Sequence, residues 1–389
     1  MKPLRIMHIS TRLILGGSQE NTLLSCAGQS DDGNTVSLVY GPIYGPEGSM
    51  LDRAQAHGGI ETIETPHLVR QLSPRRDWLC QRDLRTLIRA WRPDVVHTHS
   101  SKAGILGRAA AWAERVPAVI HTIHGLAFHP YQAKWRNAIY IAAEKYAARR
   151  CHRILCVAGA MRDQALAAGV GRPEQYHIVW SGMETEHFLE APDDPAEVRA
   201  SLGIAGDDFV VGTVSRLAEL KGHDDVLDAL GPAMQADPRM KLLWVGDGWW
   251  RDRLLARADE LGVRERIITT GLVPPTEIPR FHRAMDVLIH ASYREGLPRV
   301  VTQGMLSGLP VIAYDVDGTR EVCIDGETGW LLSPGDREGI AAAVASIRDD
   351  GDAARARAAR GRELCGTRFA ARAMVDALDV HYREVLDEA

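Results

Sequence analysis

Short apolar runs alternate with helical stretches along the whole chain of 389 residues. The runs are rich in Val, Ile and Leu, which is typical of parallel strands buried on both faces of a sheet. Strands that alternate with helices in this way predict a doubly wound α/β domain. The pattern occurs twice, and the chain is long enough for two domains.

We therefore expect an α/β protein with two Rossmann-like, doubly wound domains. The first should span residues 1–180 and the second residues 196–367, with a Pro- and acid-rich linker at 181–195. Strands of the first domain are predicted at residues 4–10, 35–40, 95–99, 118–123, 153–157 and 177–180. Strands of the second are predicted at residues 209–214, 241–245, 267–270, 287–290, 311–314 and 329–332.

The net charge of −5 is divided unevenly along the chain. Residues 1–180 carry 22 Lys and Arg against 14 Asp and Glu, a net charge of +8, and the remainder carries −13. A basic first half suggests an anionic partner for that half alone. We expect no nucleic-acid partner, because no helix-turn-helix, zinc-finger or RNP-like pattern accompanies the charge.

The sequence also suggests a compartment. No apolar run approaches the ~20 residues that a membrane-spanning helix needs, and the N-terminus shows no signal-peptide pattern. The six cysteines form no C-x-x-C pair, which favours buried, reduced thiols. We expect a cytoplasmic protein.

Residues 294–313 are the segment richest in chemistry. Glu295 and Gly296 lie at a predicted strand-to-helix turn, and Gln303 follows about two helical turns later. The N–H groups and the dipole at a helix N-terminus favour anions. A carboxylate for sugar hydroxyls beside N–H groups for phosphates would suit a sugar nucleotide.

Two cations, Arg216 and Lys221, follow a predicted strand of the second half. At the carboxyl end of a strand they can neutralise a diphosphate leaving group. The alternative is a pair of solvated surface cations.

These motifs together resemble the retaining family-4 glycosyltransferases, or glycosyl transferases group 1, over nearly the whole chain. Residues 295–303 match the E-x7-E signature of that family, except that Gln303 replaces its second Glu. The resemblance implies the GT-B fold, in which two Rossmann-like domains face each other across a cleft. It also implies that a C-terminal helix, residues 368–389, crosses back to the first domain; an ordinary end helix of the second domain is the alternative.

The resemblance assigns roles to individual residues. Arg216 and Lys221 would bind the diphosphate, and Glu295 would accept hydrogen bonds from the sugar hydroxyls. Gln303 would take the ribose-binding place of the second Glu, with a neutral amide in place of a charge. The donor-binding residues that it implies, besides Glu295, are Gly16, Gly17, Gly246, Leu272, Val273, Gly296, Leu297, Pro298 and Gln303.

His124 completes the implied catalytic set of His124, Arg216, Lys221 and Glu295. It precedes Gly125 after a predicted strand, near the place of a family histidine that meets the donor sugar. A lone histidine is more often structural, and that alternative stays open.

The chain also offers two patterns that resemble metal sites. Histidines at predicted strand ends are His97, His99, His121 and His124. No carboxylate or Cys accompanies them at ligand spacing. Asp315 and Asp317 form an Asp-x-Asp pair, but it stands where the family has a structural, phosphate-side loop. We expect no metal and no cofactor.

Residues 97–104 and 124–129 resemble the branch of the family that acts on lipid-linked sugars in capsule, exopolysaccharide and O-antigen synthesis. The resemblance implies a UDP-hexose or UDP-N-acetylhexosamine donor and a lipid-linked glycan acceptor. Candidate acceptor-binding residues are Ser100, Lys102 and His129. Two other classes stay open: a non-catalytic nucleotide-sugar-binding partner, and an epimerase or phosphorylase on the same fold.

Arginines cluster around a helix-like, partly apolar stretch at residues 77–91, and a second basic and aromatic patch lies at 134–136. The arginines are Arg70, Arg75, Arg76, Arg82, Arg85, Arg89 and Arg92. A basic helix with an apolar stripe suits an anionic membrane surface. We expect the first domain to bind the inner face of the cytoplasmic membrane peripherally; the alternative is a core-facing helix with a solvated Arg face.

Overall fold

The computed structural model describes residues 2–43 and 48–388. The chain divides into two compact units. Unit 1 comprises Met1–Met183 and Ala370–Ala389, and unit 2 comprises Glu184–Phe369. Each unit is built around one parallel sheet.

Unit 1 contains a seven-stranded sheet with the order β3-β2-β1-β4-β5-β6-β7, and all its strand pairs are parallel. Its strands are β1 (Arg5–Ser10), β2 (Thr35–Tyr40), β3 (Ile60–Glu64), β4 (Val95–His99), β5 (Ala118–Ile123), β6 (Arg153–Cys156) and β7 (Tyr176–Ile178). Its helices are α1 (Gly17–Asp31), α2 (Leu51–Ala56), α3 (Pro74–Trp91), α4 (Ser101–Ala113), α5 (Lys134–Ala148), α6 (Gly159–Ala167) and the C-terminal helix (Ala371–Glu388).

Unit 2 contains a six-stranded sheet with the order β10-β9-β8-β11-β12-β13, again with parallel pairs. Its strands are β8 (Phe209–Val214), β9 (Met240–Val245), β10 (Ile267–Thr269), β11 (Val287–His290), β12 (Val311–Tyr314) and β13 (Trp330–Leu332). Its helices are α7 (Glu186–Leu189), α8 (Pro195–Ser201), α9 (His223–Ala236), α10 (Arg251–Glu260), α11 (Ile278–His282), α12 (Arg299–Leu306), α13 (Arg337–Asp349) and α14 (Gly351–Arg368).

The two Rossmann-like α/β domains that the sequence predicts are confirmed. The prediction missed β3, the edge strand of unit 1. Its sequence, Ile-Glu-Thr-Ile-Glu, alternates apolar and polar residues and only Ile60 is buried, so it lacks the continuous apolar character of the inner strands.

The C-terminal helix packs on unit 1, which confirms the predicted return of the chain. Met374, Leu378 and Tyr382 join Ile6 and Val95 in one buried cluster. An end helix of the second domain, the alternative interpretation, is therefore wrong. The helix begins at Ala371, just after the division between unit 2 and unit 1 at Phe369 and Ala370.

In each sheet the strand order reverses at one point, between β1 and β4 in unit 1 and between β8 and β11 in unit 2. Loops at the carboxyl ends of such neighbouring strands form the usual binding crevice of open α/β sheets. The candidate residues at 216, 221 and 295 follow β8 and β11, the two strands at the reversal point of unit 2, whereas residue 124 follows β5, the neighbour of β4 in unit 1.

Two further features concern the thiols and the helices. All six cysteines are buried, and none of them forms a disulfide. Within residues 2–43 and 48–388, no helix combines the length and the apolar character that crossing a bilayer requires.

Candidate active site

A tight turn after β8 brings Lys221 beside the end of β11. Leu220 and Gly222 both have positive φ, at 62° and 69°. A Cβ atom on Gly222 would lie 2.0 Å from the carbonyl oxygen of Ala291, so only glycine fits this approach. The Tyr293 N–H donates to the Leu220 carbonyl at 2.8 Å and ties the two strand ends together.

Lys221 and Glu295 form the centre of the site in unit 2. The Lys221 Nζ donates to Glu295 Oε1 at 2.7 Å and to Ser292 Oγ at 3.3 Å. The His290 Nε2–H donates to the same Glu295 oxygen at 3.0 Å. The two charged side chains remain partly accessible, at 29% and 17%, so an incoming ligand can reach them.

These contacts keep Glu295 ionised. Burial raises the pKa of its carboxyl, but the hydrogen bonds and charges of His290 and Lys221 outweigh burial and bring the pKa well below its usual range. The sequence predicted Lys221 and Glu295 for separate roles. The structure shows that the two charges pair directly with each other.

The loop after β12 orients the Glu295 turn. The Glu295 N–H donates to Asp317 Oδ2 at 2.8 Å, and the Gly318 N–H donates to the Gly296 carbonyl at 3.1 Å. Asp315 is bound by both Nε and Nη2 of Arg320, at 3.0 and 2.5 Å. Both carboxylates of the Asp-x-Asp pair therefore have protein partners.

Gln303 lies on α12, about one and a half turns after the buried residues Leu297 and Pro298 that precede the helix. Its side chain is half-buried, and its amide forms no hydrogen bond with the part of the chain that is described. An amide in this condition is available to a ligand, as the predicted ribose contact requires.

Gly246 joins the loops after β8, β9 and β10. Its φ is 135°, and a Cβ atom there would lie 2.2 Å from the Ser215 carbonyl oxygen. Its N–H donates to the Gly271 carbonyl at 3.1 Å, which places Leu272 and Val273 in an adjoining loop. Leu272 is 77% exposed, so this loop offers an open apolar surface.

The sequence did not single out Trp249. The Arg216 guanidinium lies 5.7 Å from the centre of its indole ring, and the ring is largely exposed. The contact holds the Arg216 cation at the carboxyl edge of the sheet without pairing it to a carboxylate.

A second group of residues that was not predicted from the sequence forms hydrogen bonds around Asp225, beside the site. Buried Asp225 accepts hydrogen bonds from Tyr293 Oη at 2.5 Å, Tyr314 Oη at 3.1 Å and Arg337 Nε at 2.9 Å. These partners lie 68, 89 and 112 residues further along the chain, so no local spacing could have revealed them.

In unit 1, the candidate residues at the carboxyl edge of the sheet are histidines and not an ion pair. His99 Nδ1 lies 3.0 Å from His124 Nε2, and His99 Nε2 lies 2.9 Å from His8 Nδ1. Burial lowers the pKa of His8 to about 4 and holds that of His99 well below its ordinary value. His8, which the sequence analysis missed, thus connects His124 to the interior.

Nitrogens of His8, His97 and His99 lie within 4.8 Å of one another. All six ring nitrogens already have hydrogen-bond partners among the described residues. The arrangement is therefore complete as a hydrogen-bonded cluster. His121 takes no part in it, since its Nδ1 bonds Thr98.

The remaining candidates of unit 1 lie on the loops that follow β1, β4 and β5. Gly16 precedes α1, and its carbonyl accepts from the Glu20 N–H at 2.9 Å; Gly17 is the first residue of that helix. Ser100 Oγ lies 2.7 Å from Thr11 Oγ1. Lys102 pairs with Asp77 at 2.5 Å, and the backbone of His129 is held by Asn137.

The structure thus brings together two groups of candidates and keeps each within its own unit. Lys221 and Glu295 contact each other in unit 2, whereas His124 belongs to the histidine cluster of unit 1. Lys102, like Lys221, pairs with a carboxylate of its own unit, Asp77.

Comparison with known proteins identifies the class. Residues 194–364 match the family described as glycosyl transferases group 1, and residues 15–187 match glycosyltransferase family 4. The chain belongs to this family and is a glycosyltransferase.

Individual relatives agree with the family. The Escherichia coli UDP-Gal:alpha-D-GlcNAc-diphosphoundecaprenol alpha-1,3-galactosyltransferase is 26% identical over 350 residues, which is 89% of this chain and 88% of that protein. The D-inositol 3-phosphate glycosyltransferase of Acidothermus cellulolyticus is 30% identical over 315 residues, which is 76% of this chain and 68% of that protein.

Among solved structures, HepE of Anabaena in complex with UDP has the same fold. The TM-score is 0.82 at 23% sequence identity, over 98% of this chain and 100% of HepE. A second HepE structure, in complex with UDP-glucose, gives a TM-score of 0.81.

Proposed function

We propose that this chain is a retaining glycosyltransferase that moves a hexose or N-acetylhexosamine from a UDP-sugar to a hydroxyl of a lipid-linked glycan. The bond from the anomeric carbon to the diphosphate oxygen breaks, and a bond to the acceptor oxygen forms on the same face. The acceptor proton goes to the departing diphosphate, and UDP leaves. The product belongs to surface polysaccharide synthesis.

The observation that carries the proposal is the Lys221–Glu295 pair in unit 2. A cation and an ionised carboxylate 2.7 Å apart meet the two demands of a nucleotide sugar, a charge for the diphosphate and acceptors for sugar hydroxyls. Arg216, held on Trp249, supplies the second positive charge. Diphosphate oxygens would draw Lys221 away from Glu295 and release that carboxylate for the sugar.

Two comparisons support the choice of donor and acceptor. The name of the Escherichia coli relative includes UDP-Gal and a diphosphoundecaprenol-linked sugar, and the HepE structures hold UDP or UDP-glucose. The sequence segments at 97–104 and 124–129 resemble the same lipid-linked branch.

The test is a transfer assay. Purified chain is incubated with UDP-glucose, UDP-galactose, UDP-N-acetylglucosamine or GDP-mannose and a polyprenyl-diphosphate GlcNAc acceptor. We expect UDP release that depends on the acceptor, and an α-linked product. Donor binding without release would favour the non-catalytic alternative. Donor conversion without an acceptor would favour an epimerase, and a requirement for free phosphate a phosphorylase.

We also propose that transfer needs no metal ion or cofactor, because Arg216, Lys221 and the N-terminus of α12 can take the diphosphate charge. Asp315 and Asp317, the other candidate ligands, are engaged by Arg320 and by the Glu295 N–H. Activity should survive excess EDTA. Full loss with EDTA, restored by Mg²⁺ or Mn²⁺, would contradict this.

Finally, we propose that unit 1 binds an anionic membrane surface from the cytoplasmic side. The expected apolar stripe is not the contact, because Leu84 and Ile88 face the core and Arg85 and Arg89 pair with Glu114. Exposed aromatic residues of α3 and α5 include Trp78 and Trp135, with Arg82 and Arg136 near their rings. Aromatic rings with neighbouring cations suit a lipid headgroup layer.

Vesicle binding tests this proposal. The wild-type chain should bind anionic vesicles and lose binding as salt rises, since each charge contributes about 1 kcal/mol at the surface. Replacing Arg75, Arg76 and Arg82 together by Glu should weaken binding, whereas Arg355→Glu on unit 2 should not. Equal binding to neutral and anionic vesicles, or none to either, would refute the membrane proposal.

A further inference from the structure

His290 is the last residue of β11, an inner strand of the unit 2 sheet that lies between β8 and β12. It is opposite Ala313 in the parallel pairing with β12, and only 6% of its side chain is exposed. Because the sheet and the packing around it hold the ring, its nitrogens cannot follow a ligand that enters the site.

The hydrogen bond between His290 and Glu295 has only one possible direction. His290 Nε2 lies 3.0 Å from Glu295 Oε1. An ionised carboxylate offers acceptors only, so the histidine must be the donor. A neutral ring with its proton on Nε2 and a charged ring can both donate in this way. The contact therefore does not depend on the charge of His290.

Lys221 binds the same oxygen as a movable donor. Its Nζ donates to Glu295 Oε1 at 2.7 Å and to Ser292 Oγ at 3.3 Å, from a flexible side chain that is 29% exposed. An ammonium group has three N–H donors. A diphosphate can therefore take the third donor of Lys221 and compete for the other two.

The second oxygen of Glu295 is left for a ligand. Both protein donors use Oε1, and Oε2 has no hydrogen-bond partner within residues 2–43 and 48–388. The side chain is 17% exposed. An ionised Glu295 thus offers the lone pairs of Oε2 to hydroxyl groups.

Burial opposes the ionised state of Glu295. It raises the pKa of this carboxyl, whereas His290 and then Lys221 lower it. Once a diphosphate shares the charge of Lys221, His290 is the donor that still opposes burial. Asp317, on the loop after β12, contacts Glu295 through the backbone N–H. His223, close enough to His290 for charges to interact, is neutral, since burial lowers its pKa to about 4.

We propose that His290 is a positioning residue that keeps Glu295 in place as an ionised hydrogen-bond acceptor while Lys221 turns to the diphosphate. A protonated Glu295 would donate to a sugar hydroxyl that it should accept from. The inference rests on the proposed glycosyl transfer, because it concerns the binding of the sugar donor. Two donors on one carboxylate oxygen then have different tasks: Lys221 exchanges partners, and His290 does not.

The protonation of Glu295 tests the proposal directly. The full chain is labelled with ¹³C at the glutamate carboxyl carbons and titrated from pH 8 to 5, with and without saturating UDP; Glu295→Gln gives the assignment. In the wild type, Glu295 should stay ionised in both titrations. In His290→Leu it should stay ionised without UDP, because Lys221 remains its partner, and should take up a proton within this range when UDP is bound.

Three further variants protect the test against misfolding. His290→Asn shortens the side chain so that its amide cannot reach Glu295, and it should behave as His290→Leu does. His290→Gln places an N–H donor near the position of Nε2 and should behave as the wild type. His282→Leu is the matched control, because it removes another buried histidine of unit 2, one that bonds Ser307.

Two results would overturn the proposal. One is a Glu295 that stays ionised with UDP bound in both His290→Leu and His290→Asn. The other is a His290→Gln variant in which Glu295 takes up a proton as in His290→Leu.

Kinetics separate this proposal from the proposed function. In His290→Leu, kcat at pH 7.5 should fall by about tenfold and the Kd for UDP should stay within about twofold. The loss of activity in acid should begin at a higher pH, whereas a purely structural histidine would lower kcat equally at every pH. The expected protonation of Glu295 without transfer from any donor would refute the glycosyl transfer alone. Transfer with Glu295 ionised in every variant would refute the role of His290 alone.

Discussion

In both units the candidate residues lie at the carboxyl edge of a parallel sheet, but they are charged in unit 2 and neutral in unit 1. At this edge of unit 2, Lys221 and Glu295 form an ion pair. His290 donates a further hydrogen bond to the Glu295 carboxylate. In unit 1 the edge holds a buried chain of imidazoles whose low pKa values keep them uncharged. The same strand order therefore supports a charged site in one unit and a neutral one in the other.

This difference separates two tasks of a glycosyl transfer. A diphosphate leaving group carries charge and needs cations that move little as the charge develops. A hydroxyl group that gives up its proton needs a partner that can accept a hydrogen bond, and a neutral imidazole can accept one whereas a cation cannot. We infer that unit 2 handles the leaving group and unit 1 the hydroxyl chemistry.

The largest expected effect comes from removing a cation of unit 2. Lys221→Ala and Arg216→Ala should each lower kcat by roughly 10²–10³-fold, as deletion of an oxyanion-stabilising group does. Lys241→Ala, at the amino end of β9 and so away from the carboxyl ends of the strands, is the control and should keep full activity. Near-normal turnover in both site variants, measured by UDP release, would remove the charged edge from the mechanism.

The second-largest expected effect is that acid destabilises unit 1 more than unit 2. Burial lowers the pKa of four histidines in unit 1: His8, His97, His99 and His121. Below pH 6.5 the unfolded chain therefore binds protons at these histidines, whereas the folded unit does not. For each such histidine, stability is complete above the ordinary pKa of 6.5 and falls by about 1.4 kcal/mol per pH unit below it, down to its folded pKa, about 4 for His8.

Unit 2 has only two such fully buried histidines among its described residues, His223 and His282, with pKa values of about 4 and 3. Its Glu295 keeps a low pKa, so the contribution of that carboxylate to stability is lost only at much lower pH. Proteolysis during thermal unfolding at pH 7.5 and 5 should therefore cut residues 2–183 first at the lower pH. Earlier cleavage within 184–369 would contradict this assignment.

Gln303 should give the smallest effect. A charged hydrogen-bond acceptor exceeds a neutral one by roughly 1 kcal/mol, or about fivefold in Kd. Gln303→Glu should tighten UDP binding by that factor and Gln303→Ala should weaken it, as measured by titration calorimetry. If neither variant changes the Kd, Gln303 lies outside the nucleotide site.

The sequence predicted the parts of this account that depend on local pattern. Twelve of the strands could be predicted because buried parallel strands are continuously apolar. Arg216, Lys221 and Glu295 could be predicted because they lie in the loops that follow such strands. The alternating edge strand β3 gave no such signal.

Contacts between distant residues could not be predicted in this way. The ring of Tyr382 packs in the buried cluster of unit 1, but its hydroxyl contacts Gln29 across 353 residues of chain. His8 lies inside β1 like any core residue and reveals its role only through its neighbours. The direct pairing of Lys221 with Glu295 likewise joins residues 74 positions apart.

The division of tasks between the two edges can be tested with one ligand and two variants. Titration calorimetry with UDP should show that Lys221→Ala loses about tenfold in affinity, because a charge-assisted contact is gone. His124→Ala should bind UDP as the wild type does, within about twofold, while it loses sugar transfer. If His124→Ala loses UDP affinity and Lys221→Ala retains it, the assignment of the leaving group to unit 2 is wrong.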